Sequence, residues 1–532
     1  MLNYQKVLTT YQVMTEIKEK RECKGETMME NRPQWGTRAG FIMAAAGSAI
    51  GLGNIWRFPA TAYENGGGAF FLPYLFALLT AGIPILIMEF AIGHKYRGSS
   101  PLSLARLNKK AEWLGWWQVG ISFIIAVYYA AIIAWAMSYF IFSLKLSWGQ
   151  DTEGFLFGDY LKLAEVPGQT GSIVSGVLIP LILVWIIALG VLLKGIKKGI
   201  EAANKIFLPT LIVLFFIIVL RAITLDGAVE GLNAFFKPDW SAIANGKVWV
   251  AAYGQIFFSL SVGFAIMITY SSYLPKKSDL TNNAFITGFG NSAFELLAGI
   301  GVFSALGFMA MQQGVSIDEV VAGGVGLAFV VFPQIINEFP AFNQLFGLLF
   351  FGSLTLAGLT SLISIIETFV AGVQDKFNVS RTKSVLMGGG LASVISLLFA
   401  TQGGLYFLDV MDYFINNFGV ALAGLVEIIL VAWVFRELNN LQKHANSVSD
   451  IMLGAWWKIC LSVITPVVLG YMMFDNIRTN ISENYEGYAT SFIVPFGWGV
   501  AGLVIVVGIL LSFKGWKKES LSSVKEDTTY GK

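Results

Sequence analysis

The stretch WGTRAGFIMAAAGSAIGLGNIWRFP (residues 35–59) holds two apolar segments separated by a glycine-rich centre, GSAIGLGN (residues 47–54). A helix of about twenty apolar residues crosses the roughly 30 Å hydrocarbon core of a bilayer. Glycines in such a helix commonly allow close packing against a neighbour, but a cluster of them also lets the backbone unwind. Unwound backbone at membrane depth persists only where it is buried in protein or lines a cavity. The stretch therefore indicates a membrane span that is either closely packed or interrupted at a binding cavity.

The composition of the whole chain, like that of this stretch, is typical of a membrane protein. Of 532 residues, 55% are hydrophobic, 14% are aromatic and 13% are charged, which is far more apolar than a soluble domain. The run SIVSGVLIPLILVWIIALGVLL (residues 172–193) carries no charge. Strands of an outer-membrane barrel alternate over about ten residues and give no such runs. We predict an all-α polytopic membrane protein with about twelve transmembrane helices, centred near Ala49, Leu79, Ala126, Leu183, Leu214, Leu260, Phe294, Leu356, Ser393, Gly424, Thr465 and Val504.

Basic residues mark one side of the membrane. An even number of spans puts both termini on the same side, and the basic segments at residues 194–200 and 514–518 lie there too. The opposite loops are poor in positive charge, since residues 151–159 have no lysine or arginine and residues 226–239 have only Lys237. Cytoplasmic loops carry the excess of lysine and arginine. Both termini are therefore expected in the cytoplasm, in a multi-pass protein of the cell inner (plasma) membrane.

Several function classes are excluded by the composition. The net charge of +2 is dispersed over short loops and forms no basic face for nucleic acid. Two cysteines, Cys23 and Cys460, are too few for a disulfide framework or a cysteine metal cluster. His94 and His444 are interpreted as ordinary interfacial residues. No nucleophile with a basic or acidic partner, no phosphate-binding lysine motif and no complete dinucleotide loop occurs, so we expect neither an enzyme nor a nucleotide-driven pump.

The sixth span contains an interruption comparable to that of the first. It is SLSVGF (residues 259–264), which lies five spans after GSAIGLGN. Matching breaks in two halves are typical of inverted-repeat transporters, where unwound carbonyls bind cations and half-helix N-termini attract a carboxylate. The pair favours the functional interpretation over close packing. The expected organisation is a cytoplasmic tail, two inverted five-helix repeats, two further helices and a second cytoplasmic tail, at residues 1–34, 35–225, 240–436, 450–514 and 515–532.

Longer motifs resemble a known family. The opening stretch is followed in order by ENGGGAFFLPY (residues 64–74), AVYY (126–129), GQIFFSLSVGF (254–264), AGLTSLIS (357–364) and LDVMDYF around Asp412. Together these motifs resemble those of the neurotransmitter:sodium symporters, and most closely those of the bacterial amino-acid members of the leucine-transporter type. The resemblance covers most of residues 35–427. Spans eleven and twelve match only in position and hydrophobicity.

The resemblance implies two sodium sites built from oxygen atoms, which suit a hard cation. The first would use the carbonyl of Ala49, the side chains of Asn54 and Asn291, both oxygens of Ser259 and one oxygen of the substrate carboxylate. The second would use the carbonyls of Gly47, Ile50 and Ala357 and the hydroxyls of Thr360 and Ser361. The alternative for these two hydroxyls is a hydrogen bond back within their own helix.

Gly51 and its neighbours imply the class of substrate. Relatives that bind monoamines carry an aspartate where Gly51 stands, and glycine leaves room for an α-carboxylate, which Tyr129 and the amides of Leu52 and Gly53 would bind. The α-ammonium would be received by the carbonyls of Ala49, Phe258 and Ser259. The substrate's side chain would face Ile50, Ile125, Phe258, Ser261, Phe264, Ser361 and Ile365. Because burial of an unpaired charge is costly, the expected substrate is a small neutral amino acid, aliphatic by preference, with an aromatic one left open.

The resemblance also implies two gates. The expected outer gate is a charged pair above two aromatic rings, formed by Arg57, Asp412, Tyr129 and Phe258. The expected cytoplasmic gate is a charged pair near two other rings, formed by Arg32, Asp375, Trp35 and Tyr273. The alternative for each charge is an ordinary snorkelling or interfacial position.

Glu295 bears on chloride dependence. Chloride-dependent relatives have a serine at the corresponding position, whereas chloride-independent bacterial members have this acid. We expect chloride independence, with Glu295 supplying the negative charge and taking up a proton on the return step. A buried neutral carboxyl is the alternative. Glu89 is expected to hydrogen-bond the broken first helix, and no role follows for Glu367 or Glu427.

The expected function is sodium-coupled import of a neutral amino acid by alternating access. The alternatives are a membrane-embedded amino-acid sensor or a sodium-gated channel on the same fold, neither of which needs two sodium sites and two gates. The sequence leaves open the amino acid, the sodium stoichiometry, proton antiport and whether the protein is a monomer or a dimer. It also leaves open whether Met1 or Met28 is the start.

Overall fold

The computed structural model of the chain describes residues 32–517 and 520–521. Within these ranges the regular structure is helical, and β pairing is limited to isolated bridges between Gly67 and Pro238 and between Ile173 and Thr401. The prediction of an all-α protein is confirmed. Residues 1–31 of the expected first tail, which include Cys23 and both candidate starts, and residues 522–532 of the second tail lie outside the described residues.

The N-terminal half contains five predicted spans. The first is a bent pair of helices, α1 (Arg38–Ala49) and α2 (Leu52–Glu64), whose axes differ by 55°. The next four are single helices long and apolar enough to cross a bilayer: α3 (Gly68–Tyr96), α4 (Lys109–Phe142), α5 (Ser175–Leu193) and α6 (Ile196–Ala222).

The C-terminal half begins with a second broken span, α7 (Gly246–Ser259) and α8 (Ile266–Ser271). Two of the helices after it are shorter, α10 (Gly324–Glu338) and α14 (Leu438–Val448). The others are of spanning length: α9 (Leu280–Gln313), α11 (Asn343–Phe377), α12 (Arg381–Ala400), α13 (Gly404–Val434), α15 (Ala455–Gly487) and α16 (Thr490–Phe513).

The described residues hold ten helices that meet the length and hydropathy of a membrane span, or eleven when the bent pair is counted as one span. About twelve spans were predicted. The sixth predicted span is missing from the count because its halves, α7 and α8, are only 14 and 6 residues long. The break in the helix therefore accounts for the difference.

The loops between spans have helical structure of their own. The segment after α4 contains the turns Thr152–Gly154 and Phe155–Tyr160, and the segment after α9 contains Ile317–Val320 and α10. Three further short helices are Ser100–Leu107, Ala228–Phe236 and Trp240–Ala244.

Burial separates an inner set of helices from an outer set. The apolar windows of α3, α4, α9 and α11 are 78–83% buried, whereas those of α5, α6, α12 and α16 are 28–39% buried. On the outer set, large apolar side chains such as Ile186 and Phe513 are exposed, as expected of surfaces that contact lipid. The last six residues of α1 are all buried. The break at the end of α1 therefore lies inside the bundle.

The two histidines contact each other, which the sequence did not predict. His94 Nδ1 lies 2.9 Å from His444 Nε2, and His94 Nε2 lies 2.9 Å from the carbonyl oxygen of Pro275. His94 is 2% exposed. The pair joins the end of α3 to α14, so these residues are packing partners and not independent interfacial side chains.

Candidate functional site

The first span loses helical geometry at two residues. Ile50 (φ −75°, ψ 95°) and Gly51 (φ −123°, ψ −166°) are extended. Asn54 caps the helix that follows, because its Oδ1 accepts a hydrogen bond from the backbone N–H of Gly51 at 2.8 Å. A Cβ atom on Gly51 would lie 3.1 Å from Ser361 Oγ and 3.2 Å from the Tyr129 hydroxyl. Glycine therefore keeps a narrow space open between the break and these two hydroxyl groups.

The sixth span is unwound between α7 and α8. Ser261, Gly263 and Ala265 have positive φ values of 54°, 85° and 72°, a region that favours glycine and is costly for other residues. The backbone N–H of Gly263 donates to Glu89 Oε1 at 2.7 Å. The prediction that Glu89 bonds the first broken helix is therefore wrong, because the carboxylate from α3 satisfies the unwound backbone of the sixth span.

Buried polar side chains connect the two breaks. Asn54 Nδ2 donates to Asn291 Oδ1 at 2.8 Å, and Asn291 Nδ2 donates to Ser259 Oγ at 2.6 Å. Ser259 Oγ in turn donates to Glu295 Oε1 at 2.7 Å. These four side chains are at most 8% exposed. The structure thus brings together the three side chains expected at the first sodium site and links them to the acid expected to replace chloride.

Hydrogen-bond donors converge on Glu295. Gln255 Nε2 donates to Oε1 at 2.6 Å, the same oxygen that Ser259 contacts. The Tyr74 hydroxyl donates to Oε2 and also lies 2.7 Å from Ser292 Oγ. Several donors on one carboxylate favour its charged form. These donors offset part of the cost of burying a negative charge inside the bundle.

The side chains expected at the second sodium site meet where α1 ends against α11. Ser361 Oγ lies 3.3 Å from the carbonyl oxygen of Ser48 and 3.5 Å from that of Gly47. Thr360 Oγ1 donates to the carbonyl of Ala357 at 2.8 Å, which is the bond within the helix that the sequence left as an alternative. This bond uses the hydroxyl hydrogen and leaves oxygen lone pairs free, so Thr360 can still act as an oxygen ligand.

The expected substrate site lies between the two breaks. The Tyr129 hydroxyl accepts a hydrogen bond from the amide of Leu52 at 3.4 Å, and Ser261 Oγ donates to the carbonyl of Ser48 at 2.9 Å. A Cβ atom on Gly53 would meet nothing within 4 Å. The residues expected to face the substrate's side chain are all uncharged, and all are buried except the half-buried Phe258: Ile50, Ile125, Phe258, Ser261, Phe264, Ser361 and Ile365.

The charged pair expected on the cytoplasmic side is formed. Arg32 Nη1 lies 3.1 Å from Asp375 Oδ1, Arg32 Nε donates to Ser272 Oγ at 3.1 Å, and the guanidinium lies 4.9 Å from the centre of the Tyr273 ring. Burial lowers the pKa of Arg32, but Asp375, together with Tyr273 and Glu367, more than offsets this and raises the pKa above its ordinary value. The backbone N–H of Trp35 donates to the carbonyl of Tyr273 at 3.0 Å. These contacts tie the segment before α1 to α11 and to the residues that follow α8.

The expected outer gate is not formed. Arg57 Cζ lies 4.7 Å from the centre of the Phe258 ring, whereas Asp412 Oδ1 accepts a hydrogen bond from Asn416 Nδ2 at 2.8 Å. Arg57 and Asp412, both in the described part of the chain, form no ion pair there. Of the two expected charged pairs, Arg32–Asp375 is thus formed and Arg57–Asp412 is not.

Two buried acids have partners that the sequence did not predict. Glu367 accepts from the Tyr273 hydroxyl at 2.8 Å and pairs with Arg381 at 2.7 Å, while Glu427 accepts from Gln118 Nε2 at 2.7 Å. Both carboxylates are 0% exposed. The available signal was an acidic residue inside an apolar run, because such residues almost always find a partner. The partner itself depends on tertiary packing and has no local signal.

Comparison with known proteins identifies the family. The profile of the Sodium:neurotransmitter symporter family matches residues 32–159 and 151–518. An uncharacterized sodium-dependent transporter of Methanocaldococcus jannaschii is 43% identical over 489 residues, which cover 91% of this chain and 99% of that protein. The sodium- and chloride-dependent GABA transporter 2 of Homo sapiens is 29% identical over 555 residues, which cover 96% of this chain and 89% of that protein.

A solved structure matches the fold. The crystal structure of MhsT in complex with L-phenylalanine superposes with a TM-score of 0.70 at 32% identity, covering 84% of this chain and 99% of MhsT. The fold is thus that of a multi-pass membrane transporter. The chain belongs to the Sodium:neurotransmitter symporter family, and it is a sodium-dependent transporter and not an enzyme.

Proposed function

We propose that the chain imports a small neutral, hydrophobic amino acid together with sodium. The observation that carries this proposal is that the two helix breaks face each other. Tyr129 contacts the Leu52 amide there, and the side chains around the breaks are uncharged. Free amides at the start of a helix attract a carboxylate. A charged side chain on the substrate would be buried there without a partner, at a cost on the order of several kcal/mol. The L-phenylalanine complex of MhsT, at 32% identity, supports an amino acid of this class.

Two sodium ions are proposed as co-substrates. The first site is supported by the hydrogen-bonded group of Asn54, Asn291 and Ser259, and the second by the approach of Ser361 to the carbonyl of Gly47. All of these groups offer oxygen ligands, which suit an alkali cation. The substrate carboxylate would complete the first sodium shell. Sodium and amino acid would therefore raise each other's affinity by the same factor.

Transport is proposed to be independent of chloride. The relative from Homo sapiens is named as chloride-dependent, but here Glu295 supplies a fixed negative charge within hydrogen-bonding distance of Ser259. A carboxylate at this position balances the sodium charge that chloride would otherwise balance. Proton uptake by Glu295 on the return step is part of this proposal.

Alternating access is proposed for the mechanism, with residues 35–225 and 240–436 as inverted repeats. Sodium and amino acid would bind from the Arg57 end, after which Arg57 and Asp412 would approach and the Arg32–Asp375 pair would separate. The positive loops support cytoplasmic termini in the cell inner membrane. A monomer or a dimer fits the same cycle.

Uptake into proteoliposomes tests the proposed function. A mixture of radiolabelled neutral amino acids would be offered with an inward sodium gradient or an equal potassium gradient, each with chloride or with gluconate. We expect uptake of a neutral amino acid only with sodium, unchanged by gluconate. Binding without uptake would favour a membrane-embedded sensor, and sodium flux without amino-acid uptake would favour a sodium-gated channel. Failure to bind any amino acid would contradict the proposed substrate class.

A further inference from the structure

Asn204 is a buried side chain that the proposed mechanism does not use. It lies on α6 and is 0% exposed. Its Nδ2 donates to the carbonyl oxygen of Ile200, one turn earlier, at 2.9 Å. Its Oδ1 has no hydrogen-bond partner among the described residues. Because a buried acceptor without a partner is costly, a ligand, an ion or a water is expected beside such an atom.

The unpartnered oxygen points at the end of α1. A Cβ atom built on Gly47 would lie 2.5 Å from Asn204 Oδ1 and 3.5 Å from Thr360 Cβ. Three helices, α1, α6 and α11, therefore meet at this point. Gly47 and Thr360 are both members of the proposed second sodium site, whereas no residue of α6 is.

The groups around this point are acceptors whose hydrogens are used elsewhere. Thr360 donates its hydroxyl hydrogen to Ala357, and Asn204 uses its amide nitrogen on Ile200. The Gly47 carbonyl and Asn204 Oδ1 carry no hydrogen. The Gly47 carbonyl faces Ser361 Oγ at 3.5 Å, at the long limit of a hydrogen bond, so it keeps a lone pair free, as does Asn204 Oδ1. Oxygens with free lone pairs suit a hard cation. Sodium is the cation that this family carries.

We propose that Asn204 Oδ1 is an additional oxygen ligand of the sodium ion at the second site, contributed by α6. This inference rests on the proposed function, because it presupposes a sodium ion beside Gly47 and Thr360. It extends the site from an interface of two helices to one of three. Movement of α6 against α1 would then weaken sodium binding directly, without any change in α11.

Sodium-dependent thermal stability of the purified protein, without any amino acid, provides the test. Sodium would be titrated against potassium at constant ionic strength, and the half-saturating sodium concentration read from the rise in unfolding temperature. Asn204→Leu removes the oxygen at similar volume, whereas Asn204→Asp adds a negative charge at the same place. Thr360→Ala reports on the second site itself. Asn480→Leu is the matched control, since Asn480 is a buried asparagine of α15 that bonds Tyr413.

We expect Asn204→Leu to raise the half-saturating sodium concentration roughly 10-fold, Asn204→Asp to lower it, and Asn480→Leu to leave it unchanged. A purely structural role would not move the two Asn204 variants in opposite directions. Wild-type sodium dependence in Asn204→Leu, or equal shifts in both Asn204 variants, would overturn the inference if Thr360→Ala still weakens sodium binding. If Thr360→Ala also has no effect, the second sodium site itself is wrong and the inference falls with it.

Discussion

Asn54 Nδ2 donates a hydrogen bond to Asn291 Oδ1 over 2.8 Å, which joins the broken first span to α9. Asn291 continues the contact to Ser259 at the end of α7. Amide and hydroxyl oxygens that suit sodium thus lie beside a helix break whose backbone amides suit a carboxylate. Ion and amino acid would share one site, which explains physically how their binding can be coupled.

Removal of either asparagine is expected to weaken both ligands together. Asn54→Ala or Asn291→Ala takes an oxygen from the sodium shell, and even loss of a residue that only orients a metal ligand costs roughly 10–100-fold in affinity. Binding of a labelled amino acid, measured as a function of sodium concentration, would need more sodium and reach lower affinity in both variants. Asn480→Ala serves as the control for loss of a buried asparagine. An unchanged sodium requirement in both variants would contradict this account.

Gly51→Asp is expected to abolish amino-acid binding and to leave sodium binding in place. The new Cβ would lie 3.1 Å from Ser361 Oγ and 3.2 Å from the Tyr129 hydroxyl, so the added carboxylate would fill the space meant for the substrate's carboxylate. Like charges in such a site cost several kcal/mol, or about 100-fold or more in affinity. Binding assays and sodium-dependent unfolding temperatures would be compared in parallel. Wild-type affinity for an amino acid in Gly51→Asp would show that the carboxylate binds elsewhere.

Glu295→Ser is expected to make transport depend on chloride. The variant keeps a hydroxyl near Tyr74, Gln255 and Ser292 but loses the fixed charge. Uptake would fall at least about tenfold in gluconate and recover in chloride, because a bound anion would restore the missing charge. The wild-type protein, assayed in both salts, is the control. Equal loss of uptake in both salts would indicate a structural role for Glu295 and contradict the chloride proposal.

Acid is expected to loosen the contact between α3 and α14. Burial lowers the pKa of His444 to about 4, helped by the charges of Lys95 and Arg97, compared with about 6.5 in an unfolded chain. The folded state therefore prefers neutral His444, so its contribution is complete above about pH 6.5 and is lost as the pH falls towards about 4. Unfolding temperatures across this range should fall less steeply in His444→Gln than in the wild type. An identical pH dependence in the two proteins would contradict this assignment.

The membrane spans and both helix breaks could be predicted from the sequence because they depend on local properties. Long apolar runs require helices in a bilayer, and the extended backbone at Ile50 and Gly51 falls within the glycine-rich segment GSAIGLGN. The three side chains expected at the first sodium site, Asn54, Asn291 and Ser259, lie next to one another in the structure, although their role stays a prediction.

Contacts between distant segments could not be predicted. Glu89 bonds Gly263 of the sixth span, although the sequence suggested the first, because tertiary packing decides which unwound backbone a buried carboxylate reaches. The same holds for the contact of Asn204 with the end of α1 and for the pairing of Glu367 with Arg381. The unformed outer gate belongs to one arrangement of the bundle, and a sequence does not specify which arrangement is populated.

Concentrative uptake tests the central claim most directly. One labelled neutral amino acid would be added outside proteoliposomes that have an inward sodium gradient. A sodium ionophore would be added once the internal concentration of label is steady. We predict that the internal concentration rises above the external one and falls back when the gradient is collapsed, because the sodium gradient supplies the driving force. Internal label that only equals the external concentration, with or without the gradient, would contradict sodium-coupled transport by this chain.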